Sequence, residues 1–187
     1  MKNAYLVHGW EGNPDNCWFP WLKTELEKLD YNVVIPAMPE SDSPEINAWI
    51  NKLQDICELN EQTIMIGHSI GCQAILRFLE KTAKKIKAVF MVAGFINLNH
   101  LETEEEQIIA KPWLTTPIDF DKIKTLAKYI AFFSDNDPDV DMDDSEIFSE
   151  KLNAKIIIEH DKGHFSDDAG VFELHSLLHE VKELETK

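Results

Sequence analysis

The chain has 187 residues, 44% of them hydrophobic and 28% charged, with 34 Asp and Glu against 18 Lys and Arg for a formal net charge of −16. A chain of this length fits one domain with a full core of its own, and a surface this negative repels phosphate backbones and anionic membranes, which excludes nucleic acid and membrane surfaces as expected partners. No apolar run approaches a membrane span, and the N-terminal MKNAYLVH is too short an apolar stretch for a signal peptide, so the expected address is cytoplasmic.

Strand-like and helix-like segments alternate along the chain. Residues 4–8 (AYLVH) read as a strand, and 21–29 (WLKTELEKL) as a helix with apolar residues at helical spacing. Residues 32–37 are a second strand, and a helix is expected from Pro44 to about Leu59, with Ile46, Ile50, Leu53 and Ile56 on one side. A third strand at 62–67 (QTIMIG) leads into a helix at 70–82, and a fourth strand follows at 87–93 (KAVFMVA). Residues 94–120 break this rhythm. They hold the acidic stretch 102–106 with Pro112, Trp113 and Pro117, and read as a loop with short helices, either a lid over a site or a solvated insertion. A fifth strand at 129–134, a helix at 143–152, a sixth strand at 155–159 and a last helix at 171–185 complete the pattern. Several strands are apolar without alternation, as strands covered by helices on both faces must be. The expected architecture is a single α/β domain over 1–187, a three-layer α/β/α sandwich around a mostly parallel six-stranded sheet. The cysteines, Cys17, Cys57 and Cys72, are odd in number and form no CxxC pair, which fits a reducing compartment and argues against a disulfide framework or a zinc ribbon.

Gly67-His68-Ser69-Ile70-Gly71 carries the strongest chemical signal. This GxSxG sequence closes a strand and opens a helix, the setting in which a tight turn lifts a serine hydroxyl out of a sheet, and the glycines leave room where side chains would clash. A serine nucleophile needs a base, and the base an orienting acid. With the order Ser, acid, His, the acid belongs just past the fifth strand, in Ser134-Asp135-Asn136-Asp137-Pro138-Asp139. Asp137 is the expected acid, since Pro138 stiffens the turn that presents it, with Asp135 and then Asp139 as alternatives. The base belongs past the sixth strand, where His164 follows Gly163 in a loop, whereas His160 continues the strand and reads as structural. The oxyanion hole requires two backbone N–H groups. Ile70, after the nucleophile, supplies one, and Trp10, in the loop His8-Gly9-Trp10-Glu11-Gly12 after the first strand, is expected to supply the other, with Glu11 as its alternative.

With these motifs in place, the chain resembles the α/β-hydrolase superfamily and, within it, the small serine hydrolases typified by retinoblastoma-binding protein 9. The resemblance rests on the strand running into HGW–EGN, the GHSIG elbow, the DNDP turn and the KGHF loop, which together span residues 5–165. It implies a compact α/β-hydrolase fold with the first and third strands adjacent and the site at the carboxyl ends of the strands. It also implies hydrolysis of a small ester or amide.

Other signals are weaker. Asp135, Asp137, Asp139, Asp141, Asp143 and Glu146 echo an EF-hand loop, but Val140 stands where that loop needs glycine and a strand precedes the segment. His175 and His179 share a helix face without a third ligand and read as surface histidines. Trp10 is expected near the site, Trp18, Phe19 and Trp21 as packing residues, and Trp113 as a pocket aromatic. The expected function is a Ser69–Asp137–His164 serine hydrolase with an acyl-enzyme intermediate, a small-molecule ester or amide as substrate, no cofactor or metal, and a monomeric state. The alternative is a catalytically vestigial form of the fold that binds protein.

Overall fold

The computed structural model describes residues 1–98 and 100–186. In chain order the elements are β1 (Lys2–Val7), α1 (Phe19–Glu27), β2 (Tyr31–Val34), α2 (Ile46–Ile56), β3 (Ile64–His68), α3 (Ile70–Thr82), β4 (Ala88–Val92), α4 (Glu104–Thr115), α5 (Phe120–Ile123), β5 (Lys128–Ser134), α6 (Asp143–Leu152), β6 (Lys155–Glu159) and α7 (His175–Glu185). The six strands form one sheet in the order β2-β1-β3-β4-β5-β6. Every pairing is parallel, as the unbroken apolar runs require.

Those runs serve two cores at once. Tyr5 and Val7 of β1, Met65 of β3, Val89 and Met91 of β4, and Ala131 and Phe133 of β5 face the side covered by α2, α3 and α6. Their neighbours Leu6, Ile64, Ile66, Phe90, Val92, Ile130 and Phe132 face α1 and α7. The period-2 alternation of strand side chains thus splits one apolar stretch between two layers. Each fully buried side chain of this kind contributes about 1.5–3 kcal/mol.

The 94–120 excursion is more ordered than its prolines suggest. α4 runs for twelve residues. Thr103 caps it, accepting from the Glu106 N–H, while the Glu106 carboxylate accepts from the Thr103 N–H. Pro112 sits in its last turns, where a missing N–H costs only the bond to the exposed Ile108 carbonyl. The buried Arg77 of α3 then gathers the carbonyls of Trp113, Thr116 and Pro117 at the end of α4. The last helix also begins later than expected, at His175, after a turn-rich stretch.

β1 pairs with β2 on one side and β3 on the other, so the chain departs from β1 in both directions. Such a switch point opens a crevice at the carboxyl ends of the strands. The loop after β1 and the turn after β3 both face it.

Candidate active site

Ser69 occupies the single position between β3 and α3, at φ 52° and ψ −124°, a conformation that costs a residue with a Cβ. Its N–H donates to the Val92 carbonyl at 2.9 Å. A Cβ on Gly67 would lie 2.7 Å from the Cys72 nitrogen, and one on Gly71 would lie 2.3 Å from the Val7 carbonyl oxygen. Both flanks therefore need glycine, because the first turn of α3 lies directly over the end of β3 and against β1.

The turn after β5 and the loop after β6 are stitched together. Lys162 N–H donates to Ser134 Oγ at 3.0 Å, and Gly163 N–H to Asn136 Oδ1 at 2.8 Å. The Asp137 carboxylate, 2% exposed, accepts from the N–H groups of Asp139 and Val140 at 2.9 and 3.1 Å. His164 Nδ1 lies 3.0 Å from each of its oxygens. A carboxylate only accepts, so Nδ1 carries the proton of this bond, and in the neutral ring Nε2 is the free acceptor. The two alternative acids stand elsewhere. Asp135 accepts from His160 Nδ1 at 2.5 Å and from Asp161 N–H at the surface, and Asp139 reaches only to 3.7 Å from His164 Nδ1. With Asp135 and Asp137 so engaged, and β5 leading into the segment, the acidic run does not fold as an EF-hand loop. His175 pairs with Glu173 at the surface.

Three braces escaped the sequence reading. The buried His68 donates from Nε2 to the His164 carbonyl at 2.7 Å, tying the loop after β6 to the elbow. Burial first, and then the neighbouring His164, lower its pKa to about 3. His8 Nε2 accepts from Met38 N–H at 3.0 Å, so its Nδ1 bears the proton and donates to the Gly9 carbonyl. Burial lowers its pKa too. Both rings are thereby neutral with fixed tautomers. Asp167 accepts from Cys17 N–H at 2.6 Å and Asn16 Nδ2 at 2.8 Å, joining the loop after β6 to the loop after β1. Burial and the Asp167 charge push the Cys17 thiol up to about 11, so it stays protonated. Each brace joins segments far apart in sequence, and no local pattern marks it.

The loop after β1 presses on the serine: a Cβ on Gly9 would lie 3.3 Å from Ser69 Cβ. Glu11 N–H is committed to the Ser41 carbonyl at 2.8 Å. Trp10 N–H has no acceptor among the described residues, and Ile70 N–H stands at the first position of α3, where no intrahelical acceptor exists. Ser69 and His164 line one cleft of about 740 Å³. No hydrogen bond joins the Ser69 hydroxyl to the His164 ring, a link that often tightens only around a bound substrate.

Trp10 lines the cleft with its indole N–H donated to the Asp42 carbonyl at 2.9 Å, and Phe19, behind the cleft wall, is fully buried against Trp18 and packs as expected. Trp113 does not. It is buried against Trp49 and donates its indole N–H to the Pro44 carbonyl at 2.8 Å, so it anchors α4 to the core instead of facing the cleft. The excursion reaches the cleft through its earlier part, with Leu98, Leu101, Glu102 and Glu106. Among the described residues, no helix is long and apolar enough to cross a membrane.

A family model described as serine hydrolase matches residues 4–183. YdeN of Bacillus subtilis (strain 168) is 31% identical over 174 residues, covering 90% of this chain and 88% of its own. Serine hydrolase RBBP9 of Rattus norvegicus is 27% identical over 171 residues, covering 90% of this chain and 87% of its own. The crystal structure of the ydeN gene product from B. subtilis matches the fold with a TM-score of 0.88 at 27% identity, over 100% of both chains. Est1E from Butyrivibrio proteoclasticus, at 14% identity and a TM-score of 0.76 over 100% of this chain and 89% of that one, shares the fold.

Proposed function

The chain belongs to the serine hydrolase family, and on that premise we propose that it cleaves a small carboxylic ester or amide through an acyl-enzyme formed on Ser69. The observation that carries this reading is the pairing, in one cleft, of a serine held on a strained elbow with a histidine whose Nδ1 is fixed by a buried carboxylate. His164 Nε2 takes the Ser69 proton as Oγ attacks the carbonyl carbon. Asp137 stays ionised, orients the ring and stabilises the imidazolium that forms. The N–H groups of Trp10 and Ile70 receive the oxyanion, a contribution of roughly 10²–10³ in rate for each donor. The tetrahedral intermediate collapses as His164 returns the proton to the leaving alcohol or amine. Water, activated by the same Nε2, then frees the acid and restores Ser69.

Treatment with a fluorophosphonate probe, followed by mapping of the modified residue by mass spectrometry, tests the reading. Labelling is expected at Ser69 and is expected to vanish in His164→Ala. Full turnover of p-nitrophenyl esters by Ser69→Ala would overturn it.

A further inference from the structure

Charge around the cleft is one-sided. Six carboxylates line it, those of Glu11, Glu102, Glu106, Asp139, Asp167 and Asp168, and among the described residues no Lys or Arg does. The chain-wide balance of 34 acids to 18 bases would leave basic groups in such a lining if charge were scattered evenly. Three of the six are engaged: Glu106 in the cap of α4, Asp167 in its brace, and Asp139 beside His164. The side chains of Glu11 and Glu102, and that of Asp168, make no hydrogen bond or ion pair among the described residues. They arrive from three separate segments, the loop after β1, the excursion and the base loop, so their convergence on one opening is a property of the fold. Of the four histidines that line the cleft, His8, His68, His100 and His164, the first two do not offset them, because both are held neutral by burial and by their bonds, and His164 is paired with Asp137. Trp10, half-buried, lines the same space with aromatic surface.

A cavity with low-dielectric walls and one sign of charge concentrates ligands of the other sign. Aromatic faces add to the attraction of an ammonium group. We propose that the substrate of Ser69 is a cation, an ester or amide carrying an ammonium group in its acyl or its leaving part, and that Glu11, Glu102 and Asp168 select it. This rests on the serine-hydrolase reading above. Anionic esters are disfavoured by the same field.

Two pairs of isosteres test it. In the first, choline butyrate is compared with 3,3-dimethylbutyl butyrate, which replaces the quaternary nitrogen by carbon. In the second, the p-nitrophenyl ester of 4-(trimethylammonio)butyrate is compared with that of 5,5-dimethylhexanoate. At low ionic strength the cationic member of at least one pair is expected to show a kcat/KM about 10-fold or more above its neutral partner. That ratio is expected to shrink as NaCl is raised and to fall in Glu11→Gln, Glu102→Gln and Asp168→Asn, singly and combined. Parity or a neutral preference in both pairs overturns the inference and leaves the hydrolase reading standing, as does a preference indifferent to salt and to all three substitutions. Turnover of none of the four esters overturns both.

Discussion

Asp135 and Asp137 are two residues apart in one turn, yet only Asp137 is buried against the His164 ring. Asp137→Asn would disturb the tautomer that leaves Nε2 bare, and kcat on a p-nitrophenyl ester is expected to fall on the order of 10⁴-fold. Asp135→Asn, which touches only the exposed His160 and the Asp161 N–H, is expected to leave that rate within twofold or so of the parent. Equal losses in the two variants would show that the wrong carboxylate has been assigned. His68 makes a different prediction. Its pKa is about 3 in the folded protein against an ordinary value of 6.5, so between these values the unfolded chain binds the extra proton. Stability from this residue is therefore complete above pH 6.5 and is lost as pH falls toward 3. The loss is about 2 kcal/mol at pH 5, at roughly 1.4 kcal/mol per pH unit. Urea unfolding at pH 7 and pH 5 should show the parent losing more stability than His68→Gln, whose amide can still donate to the His164 carbonyl.

At the level of elements, the seating of α3 on β1 governs the position of Ser69. Gly71→Ala would drive a methyl group to 2.3 Å from the Val7 oxygen and 2.6 Å from that of His8, both backbone atoms that cannot step aside alone. A loss of about 3 kcal/mol or more is expected, with Ser69 displaced and activity gone. Gly170→Ala is the contrast: its φ is +69° but no atom lies within 4 Å, so the cost is that of a left-handed residue, about 1–2 kcal/mol, with activity kept. Thermal melts paired with an esterase assay distinguish the two. The same geometry explains what could be read in advance. The elbow was legible because its glycines are demanded by the backbone within five consecutive residues, and the strands because their apolar runs record two covering layers. The order of α4 was legible in principle, since Thr103 and Glu106 form a capping box three residues apart, but the prolines outweighed it. The place of Trp113 was not legible, because its partners Trp49 and Pro44 are brought to it only by the tertiary fold.

For the molecule as a whole, a net charge of −16 means that folding compresses mutually repelling carboxylates. Screening should relieve this. Raising NaCl from 10 to 300 mM is expected to add roughly 1–2 kcal/mol, a rise in Tm of about 2–8 °C, and an unchanged or falling Tm would mean that ion pairs such as Lys87–Glu185 and Lys155–Glu180 dominate instead. Finally, the bond from the His68 ring to the His164 carbonyl closes a span of 96 residues. A ribosome emits Ser69 long before His164, the base proposed for it. On the proposed mechanism the nascent chain lacks its base for most of its synthesis, and the two residues come together only when the last strand of the sheet has been laid down and its loop has swung back over the elbow.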